Sequence, residues 1–236
     1  MVKLYTNFNI EKKHKGSIIL IGNFDGLHLG HQKLFRLAQS YKKKYNLKIG
    51  VINFNPMPKM FFNKNLKNFR ISNVDQKIKL LNSLKVDFII TKKFDYKFSK
   101  IKSINFIKQI LNKKINSKFI FVSNNFRFGN KREGNVNLLI KHEKNYNYKV
   151  VKPKPLINSK KIVSSSLIRN LLENGFLKKA NKLLNRNWAI QGFVKKGRQM
   201  GKKIGFPTCN IDIQDYVLAK PGVYAVKVLR KNNSKY

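Results

Sequence analysis

Gly22-Asn23-Phe24-Asp25-Gly26-Leu27-His28-Leu29-Gly30-His31 is the stretch on which the reading of this chain turns. An apolar run, Ile18-Ile19-Leu20-Ile21, precedes it, and Leu34, Phe35, Leu37, Ala38 and Tyr41 follow at helical spacing. That order is strand, glycine-rich turn, helix. The first N–H groups of a helix have no partner within it and lie at the positive end of its dipole, so such a turn can receive phosphate. His28 and His31 bring two imidazoles to the same spot, each a hydrogen-bond donor or a positive charge near pH 7. Gly22, Gly26 and Gly30 allow a sharp turn and a close backbone approach to a ligand. A pair of histidines at a turn is by itself compatible with a plain polar cap. The strand before it, the helix after it and the Asn23–Gly26 lead-in together favour a nucleotide-phosphate site.

Composition narrows the classes. A chain of 236 residues with 42% apolar content can bury a substantial core. The formal net charge of +41 suggests a polyanionic partner, and nucleic acid is the first to consider. The lysines, however, are spread along the whole chain among abundant Asn and Ile, and Lys42–Lys44 is the longest plain run. No basic tail stands out, so the charge is read as attracting small polyanions such as ATP rather than as a nucleic-acid module. The single cysteine, Cys209, excludes an internal disulfide and fits a reducing compartment. The first residues lack the apolar core of a signal peptide and no apolar run reaches spanning length, so a soluble cytoplasmic protein is expected.

Downstream, strand and helix patterns alternate. Lys48–Phe54, Val86–Ile90, Phe119–Val122 and Tyr148–Val151 read as short buried strands. Val74–Leu84, Ile104–Leu111 and Val136–Ile140 read as helices between them, and the prolines of Asn55-Pro56-Met57-Pro58 are expected to stop regular structure. The expectation is an α/β, Rossmann-like domain with a parallel sheet and helices on both faces. Ligands then lie beyond the carboxyl ends of the strands, where Gly22–His31, Asn55–Pro58 and Ser123–Gly134 would converge.

From Ser164 the pattern changes. Ser164-Ser165-Ser166-Leu167-Ile168-Arg169 opens a helix that Gly175 ends, and Leu177–Leu184 is a second one. Three hydroxyls and an arginine at a helix start suit a polyphosphate, or else form an ordinary serine cap with a solvated arginine. Trp188–Val194 and Gly222–Val228 alternate like strands, so a boundary is placed at residues 185/186. The expected units are 1–185, the α/β domain, and 186–236, the opening of an incomplete β-barrel.

Gly22–His31 resembles the nucleotidyltransferase turn of the prokaryotic bifunctional riboflavin kinase/FAD synthetases. Ser164–Arg169 resembles that family's Ser-Ser-(Ser/Thr)-x-x-Arg stretch, and Phe126-Arg127-Phe128-Gly129-Asn130-Lys131-Arg132-Glu133-Gly134 its Phe-x-Phe-Gly-x-x-Arg-x-Gly stretch. Asn125 lies where relatives carry an aspartate nearby, and Met57 where many have His. Gly205-Phe206-Pro207-Thr208-Cys209-Asn210 is similar to the kinase half's Pro-Thr-Ala-Asn turn, with Cys209 in place of Ala, and Lys220–Ala225 extends the likeness. The resemblance implies adenylyl transfer from MgATP to FMN, giving FAD and pyrophosphate. His28, His31 and Arg169 are the expected catalytic residues. Gly22, Asn23, Phe24, Asp25, Gly30, Ser164, Ser165 and Ser166 are expected around ATP, and Pro56, Pro58, Phe126, Phe128, Gly129 and Arg132 around the flavin. Phe126 and Phe128 could instead be core residues at alternating strand positions. Thr208 and Asn210 are the implied Mg²⁺ ligands of the kinase half, which would act on riboflavin. The family's catalytic glutamate has no counterpart here, so no riboflavin kinase activity is expected from this chain.

Two rivals stand beside this reading. Another adenylyltransferase, with a pantetheine phosphate acceptor, suits the His and Ser-Arg motifs equally but leaves Gly205–Asn210 unexplained. A basic RNA-binding module without catalysis is the other, and the even spread of lysines opposes it. Oligomeric state is not encoded in these patterns.

Overall fold

A computed structural model describes residues 2–198, 200–206, 208–213 and 215–229. Its centre is a six-stranded sheet built from β1 (Lys3–Tyr5), β2 (Ile18–Ile21), β3 (Ile49–Asn55), β4 (Phe88–Lys93), β5 (Phe119–Phe121) and β6 (Lys149–Val151). The spatial order is β1-β4-β3-β2-β5-β6 and every pairing is parallel. Alternation along the strands feeds two cores. Ile19, Ile21, Ile52, Phe88, Ile90 and Ile120 face one side, and Ile18, Leu20, Ile49, Val51, Ile89 and Phe121 the other. Both faces of a parallel sheet need cover, which is why the central strands read as continuous apolar runs. At Gly50 a β-carbon would stand 2.1 Å from the Phe88 ring, so that ring occupies the space a side chain would need.

After β2 the chain adds β3 and then β4 on one side and later returns to place β5 on the other. The crevice at such a reversal, beyond the carboxyl ends of the strands, is where open parallel sheets bind ligands. The Gly22–His31 turn leaves β2 at that point. It leads into α1 (Leu29–Tyr45), whose Leu34, Phe35 and Ala38 pack on the sheet. The loops after β3 and β5 flank it, because those strands are the two neighbours of β2.

Several elements differ from expectation. Pro58 does not stop regular structure; it opens a short helix, Pro58–Phe62, at the one position where a missing N–H costs nothing. β1 was not anticipated from its three residues, and it exists by pairing with β4. Gly222–Val228 alternates but forms no strand among the described residues, since a ladder needs a partner and none lies beside it. Of Trp188–Val194, only Val194 joins a ladder, where Val194–Lys195 pairs with Asn210–Ile211.

Helices α2 (Val74–Ser83), α3 (Ser165–Glu173) and α4 (Leu177–Leu184) complete what positions the site. α2 opens on a reciprocal cap in which Asn73 Oδ1 accepts from Gln76 N–H and Gln76 Oε1 accepts from Asn73 N–H. α3 and α4 form a third apolar cluster with Ile71, Val163 and Val217, packed by Trp188. Trp188 Nε1 donates to the Ile71 carbonyl at 2.9 Å, and Val217 N–H to the Arg70 carbonyl at 2.8 Å. Trp188 and Val217 thus lie directly on the α/β layer.

Candidate active site

The Gly22–His31 turn is locked by a carboxylate. Asp25 is 2% exposed, and its oxygens accept from Ile71 N–H, Ser72 N–H and the Arg169 guanidinium, the last at 2.7 Å. Gly26 N–H in turn donates to Ser72 Oγ at 3.3 Å. Gly26 has φ +73°, and a β-carbon there would sit 2.7 Å from Ile71, so both backbone conformation and space call for glycine. Phe24 takes the left-handed conformation at φ 47° and packs its ring against Phe35 and His31. Asp25 and the Phe24 side chain therefore build the turn, where the sequence placed them around a nucleotide.

Ser164–Arg169 meets this turn. Ser165 Oγ donates to the Asp25 carbonyl at 2.9 Å, and a β-carbon on Gly30 would lie 3.0 Å from the Val163 carbonyl. The beginnings of α1 and α3 thus lie close together, and their dipoles bring positive potential to one place. Ser164 is the N-cap of α3, accepting from Leu167 N–H, while Ser166 is exposed. Arg169 is largely committed: Nη2 pairs with Asp25, Nε donates to the Phe69 carbonyl at 2.6 Å, and the guanidinium lies 3.6 Å over the Phe69 ring. The sequence put Arg169 on a leaving pyrophosphate. Its main contacts here tie the two motifs together.

His28 and His31 stack with ring centroids 3.7 Å apart. His28 caps α1, its Nδ1 accepting from His31 N–H at 3.4 Å, which leaves the proton on Nε2 of the neutral ring. Burial, with Arg169 and Arg186 adding repulsion, lowers His28 to about 4. Burial, with His28 and Lys77 adding to it, holds His31 well below the usual histidine range. Both are neutral at pH 7 without ligand, so they act as donors rather than as standing charges. Buried polar atoms without hydrogen-bond partners gather here: Asn23 Oδ1, His31 Nδ1 and Arg70 Nη1. Such atoms are costly unless a ligand or water meets them.

The sequence reading passed over Arg70, Lys77 and Arg186. Arg70 is buried, with Nη2 donating to Asn55 Oδ1 at 2.9 Å and Nε 3.4 Å from Asp215. Lys77 is 3% exposed, and Arg186 is close enough to His28 to depress its protonation. A signal for Lys77 was present: it precedes Leu81 by one helical turn on the buried stripe of α2, where a lysine is out of place.

The loops expected to hold a ring system flank the turn. Phe126 and Phe128 stack at 5.5 Å, but Phe128 is buried against Phe106 in the core and Phe126 is partly buried beside it. The alternative of core residues therefore holds for Phe128. Gly129 has φ +77° and a β-carbon there would meet Ser103 at 2.7 Å. Arg132 is exposed, and Pro56 and Pro58 are half-buried either side of the buried Met57. Asn55, Pro56, Arg70, Asn73, Val74, Asp75, Asp215 and Tyr216 line a cavity of about 460 Å³ next to this loop. Thr208 and Asn210 are both exposed, Pro207 between the quoted glycine and threonine lies outside the described residues, and no group of three or more His, Cys, Asp or Glu is placed to hold a metal among the described residues.

Two helix starts, two neutral imidazoles and several buried cations meet at the reversal of a parallel sheet, an arrangement suited to a nucleotide phosphate. Residues 10–167 match the FAD synthetase family and residues 184–236 the riboflavin kinase family. The chain belongs to the FAD synthetase family. It is 41% identical over 97% of its length to a bifunctional riboflavin kinase/FMN adenylyltransferase of Buchnera aphidicola from Schizaphis graminum, covering 73% of that relative. Against the Escherichia coli K12 protein of the same description it is 35% identical over 91% of its length, covering 69% of that protein. The crystal structure of a macrolide-efflux protein from Streptococcus pneumoniae superposes with a TM-score of 0.81 at 28% identity, over 94% of this chain and 73% of that one. No helix among the described residues of the present chain is long and apolar enough to cross a membrane.

Proposed function

We propose that this chain transfers the adenylyl group of MgATP to FMN, giving FAD and pyrophosphate. A terminal phosphate oxygen of FMN attacks the α-phosphorus; the new O–P bond forms as the bond to the β-phosphate oxygen breaks, and pyrophosphate departs. The phosphomonoester is already largely dianionic at pH 7, so no protein nucleophile or general base is required. The protein's part is to position the two phosphates and stabilise charge on the reacting one. His28 Nε2–H and the His31 ring donate to the triphosphate. The Ser166 hydroxyl and the open N–H groups of Ser165 and Ser166 at the start of α3 hold the departing pyrophosphate, while the Ser165 hydroxyl, on the Asp25 carbonyl, and Arg169, on its carboxylate, hold that helix start against the turn. The backbone of Gly22, Asn23 and Gly30 lies against the nucleotide. Pro56, Pro58, Phe126, Gly129 and Arg132 face the flavin, with Phe128 supporting Phe126 from the core.

Mg²⁺ enters with ATP as part of the substrate, since both oxygens of the nearest buried carboxylate, Asp25, are already engaged. The observation that carries the reading is the Asp25–Arg169 pair at 2.7 Å, which brings together motifs 144 positions apart. Residues 1–185 form the adenylyltransferase unit. Residues 186–236 form a riboflavin kinase-type segment, in which Thr208 and Asn210 would hold Mg²⁺ and a nucleotide phosphate through neutral oxygens. A cytoplasmic location suits these substrates and the single free cysteine.

Incubation with FMN, ATP and Mg²⁺, followed by separation of the flavins, tests the reading. FAD and pyrophosphate should appear in equal amounts, and replacing FMN by a pantetheine phosphate should give no adenylylated product. Absence of FAD, or a preference for the other acceptor, overturns it.

A further inference from the structure

A lysine whose side chain is buried and has no ion pair needs an explanation, because desolvating an ammonium costs several kcal/mol unless something compensates it. Lys77 is such a residue. It is 3% exposed, no hydrogen bond or ion pair joins its ammonium to another described residue, and that ammonium is not among the fully buried unpartnered atoms, so it stays within reach of a ligand. The nearest buried carboxylate, Asp25, is saturated by Arg169 and two backbone N–H groups.

The placement of Lys77 is fixed by the fold. It lies in the second turn of α2, just after the reciprocal Asn73–Gln76 cap. The chain entering that helix is pinned to the Asp25–Gly26 turn by Asp25 on Ile71 N–H and Ser72 N–H and by Ser72 Oγ on Gly26 N–H. Electrostatically it is coupled to the same group of residues. Lys77 lowers His31, and Asp25 and Arg70 are the charges that act on Lys77 itself. Burial brings it down to about 8, which still leaves it mostly protonated at pH 7. Arg70 next to it has a buried, unpartnered Nη1.

We propose that Lys77 is a further nucleotide-binding residue of this site, its ammonium taking an anionic phosphate oxygen of ATP that the ligand-free fold leaves it without. This rests on the adenylyl-transfer reading and adds to it a contact from α2, a helix that neither phosphate motif includes. A lysine kept for binding should be a burden to the empty fold. A lysine kept for structure should be an asset to it.

The test is Lys77→Met, which keeps the aliphatic stem, with Lys77→Arg as the charge-retaining variant. Steady-state FAD formation and the thermal midpoint of the ligand-free protein are read together. A lost charged hydrogen bond should raise KM for ATP, or lower kcat/KM for ATP, by about 10- to 100-fold. KM for FMN should stay within about twofold, the ligand-free midpoint should hold or rise, and Lys77→Arg should restore part of the loss. Unchanged kcat/KM for ATP in Lys77→Met overturns the proposal, and so does a lowered midpoint that accompanies the kinetic loss. If Lys77→Met does not fold, amine acetylation of the wild-type protein decides: MgATP should protect Lys77, and equal labelling with and without MgATP rejects the contact. Wild-type FAD formation run alongside separates the outcomes, since its failure would remove the reaction itself.

Discussion

Two turns in this chain carry phosphate-type motifs, and the fold treats them oppositely. Gly22–His31 is enclosed, with Asp25 and His28 buried, and is tied by side-chain bonds to Ile71, to Ser72 and to α3. The Gly205–Asn210 turn is exposed along its described residues and is held by backbone bonds to Gly201 and Lys202 and by the two-residue ladder of Val194–Lys195 with Asn210–Ile211. Both stretches are rich in glycine and small polar groups. The difference lies in what surrounds them. A hydrogen bond to phosphate is strengthened where water is excluded and donors are fixed beforehand, and only the first turn has both conditions.

Breaking the enclosure should have the largest effect. Asp25→Ala removes the acceptor for two N–H groups and leaves Arg169 buried without its partner, so a loss of about 3–5 kcal/mol is expected. A shift of the denaturant midpoint reads it, together with loss of FAD formation. His31→Ala should leave the fold intact and lower kcat for FAD formation by about 100-fold, the scale of one transition-state donor. Acid comes next. His28 is about 4 in the folded protein against 6.5 in the open chain, so the unfolded state takes up its proton first. The stability held by keeping this ring neutral is whole above pH 6.5 and drains away as pH falls toward 4, by about 3 kcal/mol; midpoints measured at pH 7 and pH 4.5 should show most of that loss. At the other turn, Asn210→Ala should change FAD formation by less than about twofold, because that residue is exposed and outside the enclosed site.

Much of this arrangement is legible along the chain, for reasons that end where long-range contact begins. Local patterns name the central strands and the helix starts correctly, since apolar runs and serine caps are set by neighbours in sequence. Leu177–Leu184 is read to the residue. β1 escapes notice because two exposed residues and a half-buried one have no pattern of their own and form a strand only through β4. Gly222–Val228 misleads for the mirror reason: it has the alternation but no partner strand among the described residues. The members of the site are readable as types, while their partners are not. Nothing near Asp25 in sequence announces Arg169, and nothing about Phe24 or Phe128 tells whether a ring will face a ligand or fill the core. Lys77 is hidden by the habit of assigning lysines to solvent, although its position on the buried stripe of α2 marks it.

The proposed reaction requires one triphosphate held between the two motifs. A structure of the protein with MgATP bound tests this most directly. The histidine turn and the Ser165–Ser166 helix start should both lie within hydrogen-bond distance of phosphates of the same ATP molecule. Phosphates touched by only one of them, or bound away from both, would contradict the account.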